Sequence, residues 1–311
     1  MKQLLVLSGK GGTGKTTLVA AFVERLKAKA YADCDVDAPN LHLVMEGLGS
    51  PDIRPFYGME KAAIDASLCT GCGDCKTHCR FGAISRVEAS KQSTAFYQID
   101  PYACEGCAVC EYVCSEGAVT LGYQVDGETK VYHDQNVFST ATLKMGSGNS
   151  GKLVSEVKKN MRTYTENLER DVAIIDGSPG IGCPVIASIS GVDLILLVTE
   201  PTLSGISDMK RVIEIAEHFK TPIAICTNKY DVNPEKTREI KAYAKQVNIP
   251  YVGDIPYDKQ VAVATNQGVS ILKVPSRAGI AILAVFDQTI QLLQALEKQK
   301  TSASVVDIQF T

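Results

Sequence analysis

Gly9-Lys10-Gly11-Gly12-Thr13-Gly14-Lys15-Thr16-Thr17 decides the fold of this chain. It follows the apolar run Leu4-Leu5-Val6-Leu7, and from Gly14 to Lys29 the apolar residues recur at helical spacing. The order is therefore strand, glycine-rich loop, helix. Such a loop turns backbone N–H groups towards a phosphate, and the positive end of the following helix adds to the attraction. Lys15 is placed to reach the outer phosphates of a nucleotide and Thr16 to hold magnesium.

Outward from that loop, continuous apolar runs recur at 172–175, 194–198 and 223–226, as strands buried on both faces require. Helical patterns lie between them, near 152–168, 205–219, 234–247 and 277–297. The alternation predicts an α/β fold with a doubly wound, mostly parallel sheet covered on both faces. Ile174-Ile175-Asp176-Gly177-Ser178-Pro179-Gly180 is an apolar strand ending in an acid and a flexible turn. Asp33-Cys34-Asp35-Val36-Asp37 supplies further acids after the first helix. Asp33 and Asp37 suit either a turn and capping role or a functional one. The link from helix to second strand is tight, so that strand is expected to be short.

From about Lys61 to Gly122 the pattern changes. Eight of the eleven cysteines fall into two copies of one spacing, Cys69-x2-Cys72-x2-Cys75-x3-Cys79 and Cys104-x2-Cys107-x2-Cys110-x3-Cys114. Three cysteines at this spacing curl round one face of a 4Fe-4S cubane, and in two-cluster ferredoxins the fourth thiolate comes from the other motif. Cys69, Cys72, Cys75 and Cys114 are therefore assigned to one cluster, and Cys104, Cys107, Cys110 and Cys79 to the other. Zinc sites use separated C-x2-C pairs and fit the spacing less well. The proline usual after the fourth cysteine is absent, with Arg80 and Ser115 in its place, and His78 reads as a solvated side chain.

The expected organisation is a discontinuous nucleotide-binding domain, residues 1–60 and 123–311, with a small α+β ferredoxin-like insert at 61–122. Residues 123–146 are expected to form short strands returning the chain to the sheet, and Ser302 to Thr311 a loose tail. Cys34 and Cys226 are expected to pack as small apolar groups, whereas Cys183 is open between packing and function. Gly146 to Lys152 also satisfies G-x4-G-K, but it reads as a decoy because no apolar strand is seen before it and Leu153 replaces the hydroxyl.

A net charge of −3 argues against a broad nucleic-acid face. No apolar stretch is read as approaching the roughly 20 residues of a membrane span, and no signal-peptide pattern is seen, so a reducing, cytoplasmic setting is expected.

Three features sharpen the loop: Lys10 within it, the acids after the first helix, and the strand ending at Asp176. Together they resemble the MinD/Mrp/ParA superfamily of deviant-Walker ATPases, and with the cysteines, its branch carrying an inserted two-cluster ferredoxin domain. Thr199-Glu200-Pro201-Thr202 and Gly148 to Val154 also look like segments of that branch. The resemblance implies ATP, Mg2+ and two 4Fe-4S clusters as cofactors. It implies that Lys10 crosses a nucleotide-sandwiched dimer interface, that Asp35 positions the attacking water, and that Asp176 and Gly180 sense the outer phosphate. It places adenine against Asn228, Pro256 and Asp258, although Asn228-Lys229-Tyr230-Asp231 imitates a guanine-reading motif and the residues alone allow either base.

The partners implied are a second copy or a homologous subunit, and a redox protein. An ATPase gating electron transfer is the leading expectation, with a cluster carrier of Mrp type as the alternative. A MinD-like positioning protein would want a basic amphipathic C-terminal helix, and residues 278–296 read instead as a helix packed on the sheet.

Overall fold

The structure is a computed structural model and describes residues 1–88, 95–165 and 172–307, with side chains as far as residue 298. In chain order its regular elements are β1 (Lys2–Leu7), α1 (Lys15–Leu26), β2 (Ala30–Asp33), β3 (Asp52–Tyr57), β4 (Lys61–Ile64), α2 (Asp74–His78), β5 (Ile84–Val87) and β6 (Phe96–Ile99). They continue with α3 (Val109–Tyr112), β7 (Val119–Gly122), β8 (Val125–Tyr132), β9 (Val137–Leu143), α4 (Ser150–Thr163), β10 (Val172–Asp176) and α5 (Cys183–Ile189). The last are β11 (Leu194–Thr199), α6 (Leu203–His218), β12 (Ile223–Asn228), α7 (Pro234–Gln246), β13 (Tyr251–Ile255), α8 (Gln260–Asn266) and α9 (Arg277–Asp307).

The chain forms two compact units, Met1–Ile53 with Thr129–Thr142 and Gly151–Thr311, and Arg54–Glu128 with Leu143–Ser150. Among the described residues the main sheet runs β13-β12-β11-β1-β10-β2-β9-β8-β3. β1 pairs in parallel with both β10 and β11, and the parallel pairing extends to β2 and β9 on one side and to β12 and β13 on the other. Strand order reverses about β1, and in open α/β sheets ligands bind at such a point, beyond the carboxyl ends of the strands.

Leu4, Leu5, Val6 and Leu7 are fully buried, as are Leu194 to Val198 on β11. Each side chain of this kind removed from water contributes about 1.5–3 kcal/mol. α1 buries Leu18, Val19 and Phe22 in the same core, and Phe22 meets Phe286 of α9 edge-on at 5.0 Å.

α9 departs from expectation twice. It runs to Asp307, so the tail read from Ser302 is helical up to there, and 308–311 lie outside the described residues. No Gly or Pro follows Gly279, so nothing in the sequence stops the helix. Its segment Arg277–Lys298, with mean hydropathy 1.4, is also long and apolar enough to cross a membrane by length and composition. Within it Ala278, Ile282, Val285, Phe286 and Leu293 are buried in the core, and a third of the window is buried in all. The expected short strands after residue 122 are the longer β8 and β9, so an apolar strand does precede Gly146 to Lys152.

The cysteine-rich unit is built from two small antiparallel ladders, β4 with β7 and β5 with β6. β4 leads into the first cysteine motif and β6 into the second, while β5 and β7 each follow the fourth cysteine of a motif. Pairing β7 with β4 therefore carries Cys114 to the first motif, and pairing β5 with β6 carries Cys79 to the second. The halves repeat in their bonds: Asp65 N–H donates to Ala118 O and Asp100 N–H to Ala83 O, both at 2.8 Å. They differ at one left-handed position, held by Gly73 (φ 90°) in the first half and by Ala108 (φ 64°) in the second. A Cβ on Gly73 would lie 2.9 Å from the Tyr97 hydroxyl.

Lys158 of α4 is buried, and its ammonium donates to the carbonyls of Ala187 (3.3 Å), Ser188 (2.6 Å) and Ser190 (2.7 Å) at the end of α5. Burial pulls its pKa down from 10.5 to about 8. Between those values the unfolded chain holds the extra proton, so this group's contribution to stability rises with pH from about 8 to about 10.5. Lys158→Met leaves those carbonyls without their donor and is expected to lower stability by about 1–3 kcal/mol in urea titrations. Titrations across pH 8–10.5 should show a flatter profile for that variant than for the wild type.

Candidate functional site

The glycine-rich loop spans the carboxyl end of β1 and the start of α1. Gly14 opens α1 at φ 88°, and a Cβ there would lie 2.4 Å from Asn228 Nδ2, so only glycine lets Asn228 close on the loop and donate to Thr13 O at 2.7 Å. The loop borders a cavity of about 460 Å3, within the range of small-molecule sites, which is lined by residues 11–17 together with Asp35, Pro179, Asn228, Pro256 and Asp258. Leu43, Val261, Val269 and Ile271 give it an apolar wall. Gly9, Lys10, Asp176 and Gly180 do not line it, and neither does the Gly146 to Lys152 segment.

Register explains the polar centre. Val6 of β1 is level with Asp176 of β10, and Asp176 with Asp33 of β2, so two carboxylates end adjacent strands. Lys15, the first residue of α1, meets them with its Nζ 2.5 Å from Asp176 Oδ1, both side chains being buried. Burial pulls the Lys15 pKa down, but Asp176, Asp33 and Asp35 more than reverse this and hold it above the usual lysine value. The second oxygen of Asp176 is buried with no hydrogen-bond partner. An unpaired buried carboxylate oxygen is costly, and it suits water or a hard cation such as magnesium.

Asp33 takes the structural role. It is fully buried, and its oxygens accept from the N–H groups of Asp35 (3.0 Å), Asn40 (2.9 Å) and Leu41 (3.0 Å). Burial, with the neighbouring Asp176 charge, pushes its pKa up to about 7. Asp35 lies two residues beyond β2 at the cavity wall, its carboxyl also raised, first by burial. Asp37 is exposed. The turn after β10 is tied back, with Gly177 N–H donating to Val6 O at 3.0 Å and Gly180 N–H to Ser8 O at 3.1 Å. The Ser178 hydroxyl donates to Cys34 O.

The carboxylates of the base region are engaged. Asp231 accepts from Tyr257 N–H at 2.7 Å, and Asp258 accepts from the N–H groups of Gln260, Arg277 and Ala278, capping α9. A carboxylate with such partners is less available to read the N–H groups of guanine.

Two residues that sequence reasoning missed stand beside the loop. Glu200 pairs with Lys10 at 3.1 Å and with Lys229 at 2.5 Å. Glu200 had a signal, an acid just past an apolar strand, but nothing in the sequence named its partners.

In the cysteine-rich unit, one cavity is lined by Cys69, Cys72, Cys75 and Cys114, the other by Cys79, Cys104, Cys107 and Cys110. Each is about 20 Å3, so a cluster would require the thiols to move apart. Among the described residues no three His, Cys, Asp or Glu side chains converge on one metal ion. The donor chemistry fits a cubane, which uses four thiolates on four separate irons. His78 lines neither cavity and has its Nδ1 2.8 Å from Asp74 O. Of the other cysteines, Cys34, one residue past β2, and Cys226 are fully buried, burial pushing the Cys34 thiol up to about 12, whereas Cys183 is exposed at the start of α5.

Residues 4–271 match the family model described as CobQ/CobB/MinD/ParA nucleotide binding domain. Two uncharacterised proteins of Methanocaldococcus jannaschii are similar over most of their length. One is 34% identical over 237 residues, 74% of this chain and 79% of its own, and the other 31% identical over 287 residues, 88% and 92%. The cell division ATPase MinD of Pyrococcus furiosus shares the fold, with a TM-score of 0.54, 18% identity, and 94% of this chain and 99% of that one covered. So does the MinD of Pyrococcus horikoshii solved with Mg-ADP, at 0.54 and 18%, covering 95% and 98%. The chain belongs to the CobQ/CobB/MinD/ParA nucleotide-binding family and is an ATPase.

Proposed function

We propose that this ATPase couples its nucleotide site to electron transfer through two 4Fe-4S clusters held by the cysteine-rich unit. The observation that carries the reading is the crossed division of eight thiols into two sets of four. Unrelated structural cysteines have no reason to divide in that way. When bound, each cluster would take up and release single electrons.

The chain's own residues give the nucleotide side. Backbone N–H groups of residues 11–17 and the start of α1 bind phosphate, Lys15 neutralises it, and the Thr16 hydroxyl with the free oxygen of Asp176 suits magnesium. Asp35 at the cavity wall is the candidate for orienting water. A phosphate that draws the Lys15 ammonium towards itself would loosen the contact with Asp176 at the root of the Gly177–Gly180 turn. A turn that responds to the outer phosphate is a switch element, and through it the state of the nucleotide would gate the redox unit. Lys10 is read as the cation that reaches phosphate across a dimer of two such chains.

Protein purified without oxygen is expected to hold about eight irons and eight sulfides per chain, with Cys114→Ala reduced to about half. Zinc in place of iron, or a full iron content in Cys114→Ala, contradicts the assignment. Lys10→Ala is expected to slow steady-state ATP hydrolysis by about 10³-fold, the lower range for a trans-acting cation. For coupling, reduced protein should pass electrons to an acceptor faster with ATP than with ADP. Equal rates would leave the modules independent, and ready transfer of a whole cluster to an apo-protein would favour a carrier.

A further inference from the structure

Glu200 stands just past the end of β11 and is answered by two lysines from different parts of the chain. Its Oε2 lies 3.1 Å from Lys10 Nζ and its Oε1 2.5 Å from Lys229 Nζ. The carboxylate side chain is 12% exposed, against 32% and 35% for the lysines, so the acid is the most enclosed member of the group. Lys10 also donates to Thr202 Oγ1 at 3.5 Å, and that hydroxyl caps α6 by accepting from Gly205 N–H at 3.0 Å. Lys229 donates in addition to Gly12 O at 3.3 Å, bridging the carboxylate to the loop backbone.

One carboxylate with two cations can lose either and stay paired. A largely enclosed carboxylate that lost its only cation would bear the cost of an uncompensated charge. Burial pushes the Glu200 carboxyl up, but hydrogen bonds and charge from Lys229 and Lys10 more than reverse this, leaving it below the usual glutamate value. Lys10 does not line the nucleotide cavity of its own chain, and reaching a phosphate across a dimer would take it away from Glu200.

We propose that Glu200 is a positioning residue that parks Lys10 on its own subunit, and that Lys229 is the reserve counter-ion that lets Lys10 depart for a phosphate. The inference rests on the reading of Lys10 as a phosphate-reaching cation. Parking makes nucleotide binding compete with an ion pair, so the carboxylate sets how tightly ATP is held. Lys229 lowers the barrier to release by keeping Glu200 paired throughout.

The test is the dissociation constant of a non-hydrolysable ATP analogue for the full chain. Glu200→Gln is expected to tighten binding by about three- to fivefold, the scale of a partly exposed ion pair. That tightening should vanish when Lys10 is already alanine. A merely structural glutamate would lower thermal stability and would act alike in both backgrounds. Lys229 also lines the nucleotide cavity, so its reserve role is read from the double variant: Glu200→Gln should tighten binding more in the Lys229→Met background, where the whole acid charge rests on Lys10, than in the wild type. No tightening in Glu200→Gln, equal tightening without Lys10, or no larger tightening in the Lys229→Met background each overturns the proposal. Should Glu200→Gln not fold, Glu200→Met, which likewise removes the charge, carries the same expectation. If Lys10→Ala alone binds the analogue like the wild type, the reading of Lys10 has failed; if it binds more weakly and Glu200→Gln is unchanged, only the parking has.

Discussion

The buried pair of Lys15 and Asp176 is the interaction on which the nucleotide unit is organised. It exists because β1 and β10 lie side by side in parallel, so the end of β10 faces the point where the chain leaves β1 and turns into α1. One ammonium there faces three carboxylates, which is an expensive arrangement for stability alone. Buried ion pairs are often no more stabilising than apolar replacements, so its use has to be sought in function. A lysine shared between an acid and a phosphate would give the site two states, and the turn beginning at Gly177 is fixed to the same strand end.

The cysteine-rich unit solves a different problem. Its core is only a few side chains, Ala62, Ala83, Val119, Ile84 and Tyr97, packed with Cys75 and Cys104. Units this small rarely stand on apolar burial alone and commonly rely on disulfides or metal. Here the sulfur atoms make up part of the core itself. The duplication is imperfect in an informative place: Ala108 holds the left-handed conformation that Gly73 supplies in the other half, a conformation costing an L-residue about 1–2 kcal/mol.

Much of this was legible in the sequence because the decisive patterns are local. The loop from Gly9 to Thr17, the apolar strands and the two cysteine spacings each declare themselves within about ten residues. That Cys114 lies with the first motif was also reachable, since the expectation of a cubane called for a donor from outside it. What escaped was set by long-range register and charge. Nothing near Asp33 says that three N–H groups of the following loop converge on it, and nothing near Lys158 says that the end of α5 comes to rest there. Glu200 gathers partners 190 residues upstream and 29 downstream, which no window of sequence contains. The length of α9 was underestimated because its last turns carry polar residues, although the absence of Gly and Pro already allowed it to continue.

The exchanged strands of the cysteine-rich unit have a historical corollary. A lone half would possess three thiols round a face and a fourth aimed away from it, so it could complete a donor set only by embracing a second molecule like itself. A symmetric pair of short polypeptides would satisfy the same geometry that one continuous chain satisfies now. Joined in one chain, the two halves are free to differ, as Gly73 and Ala108 do at the matching left-handed position.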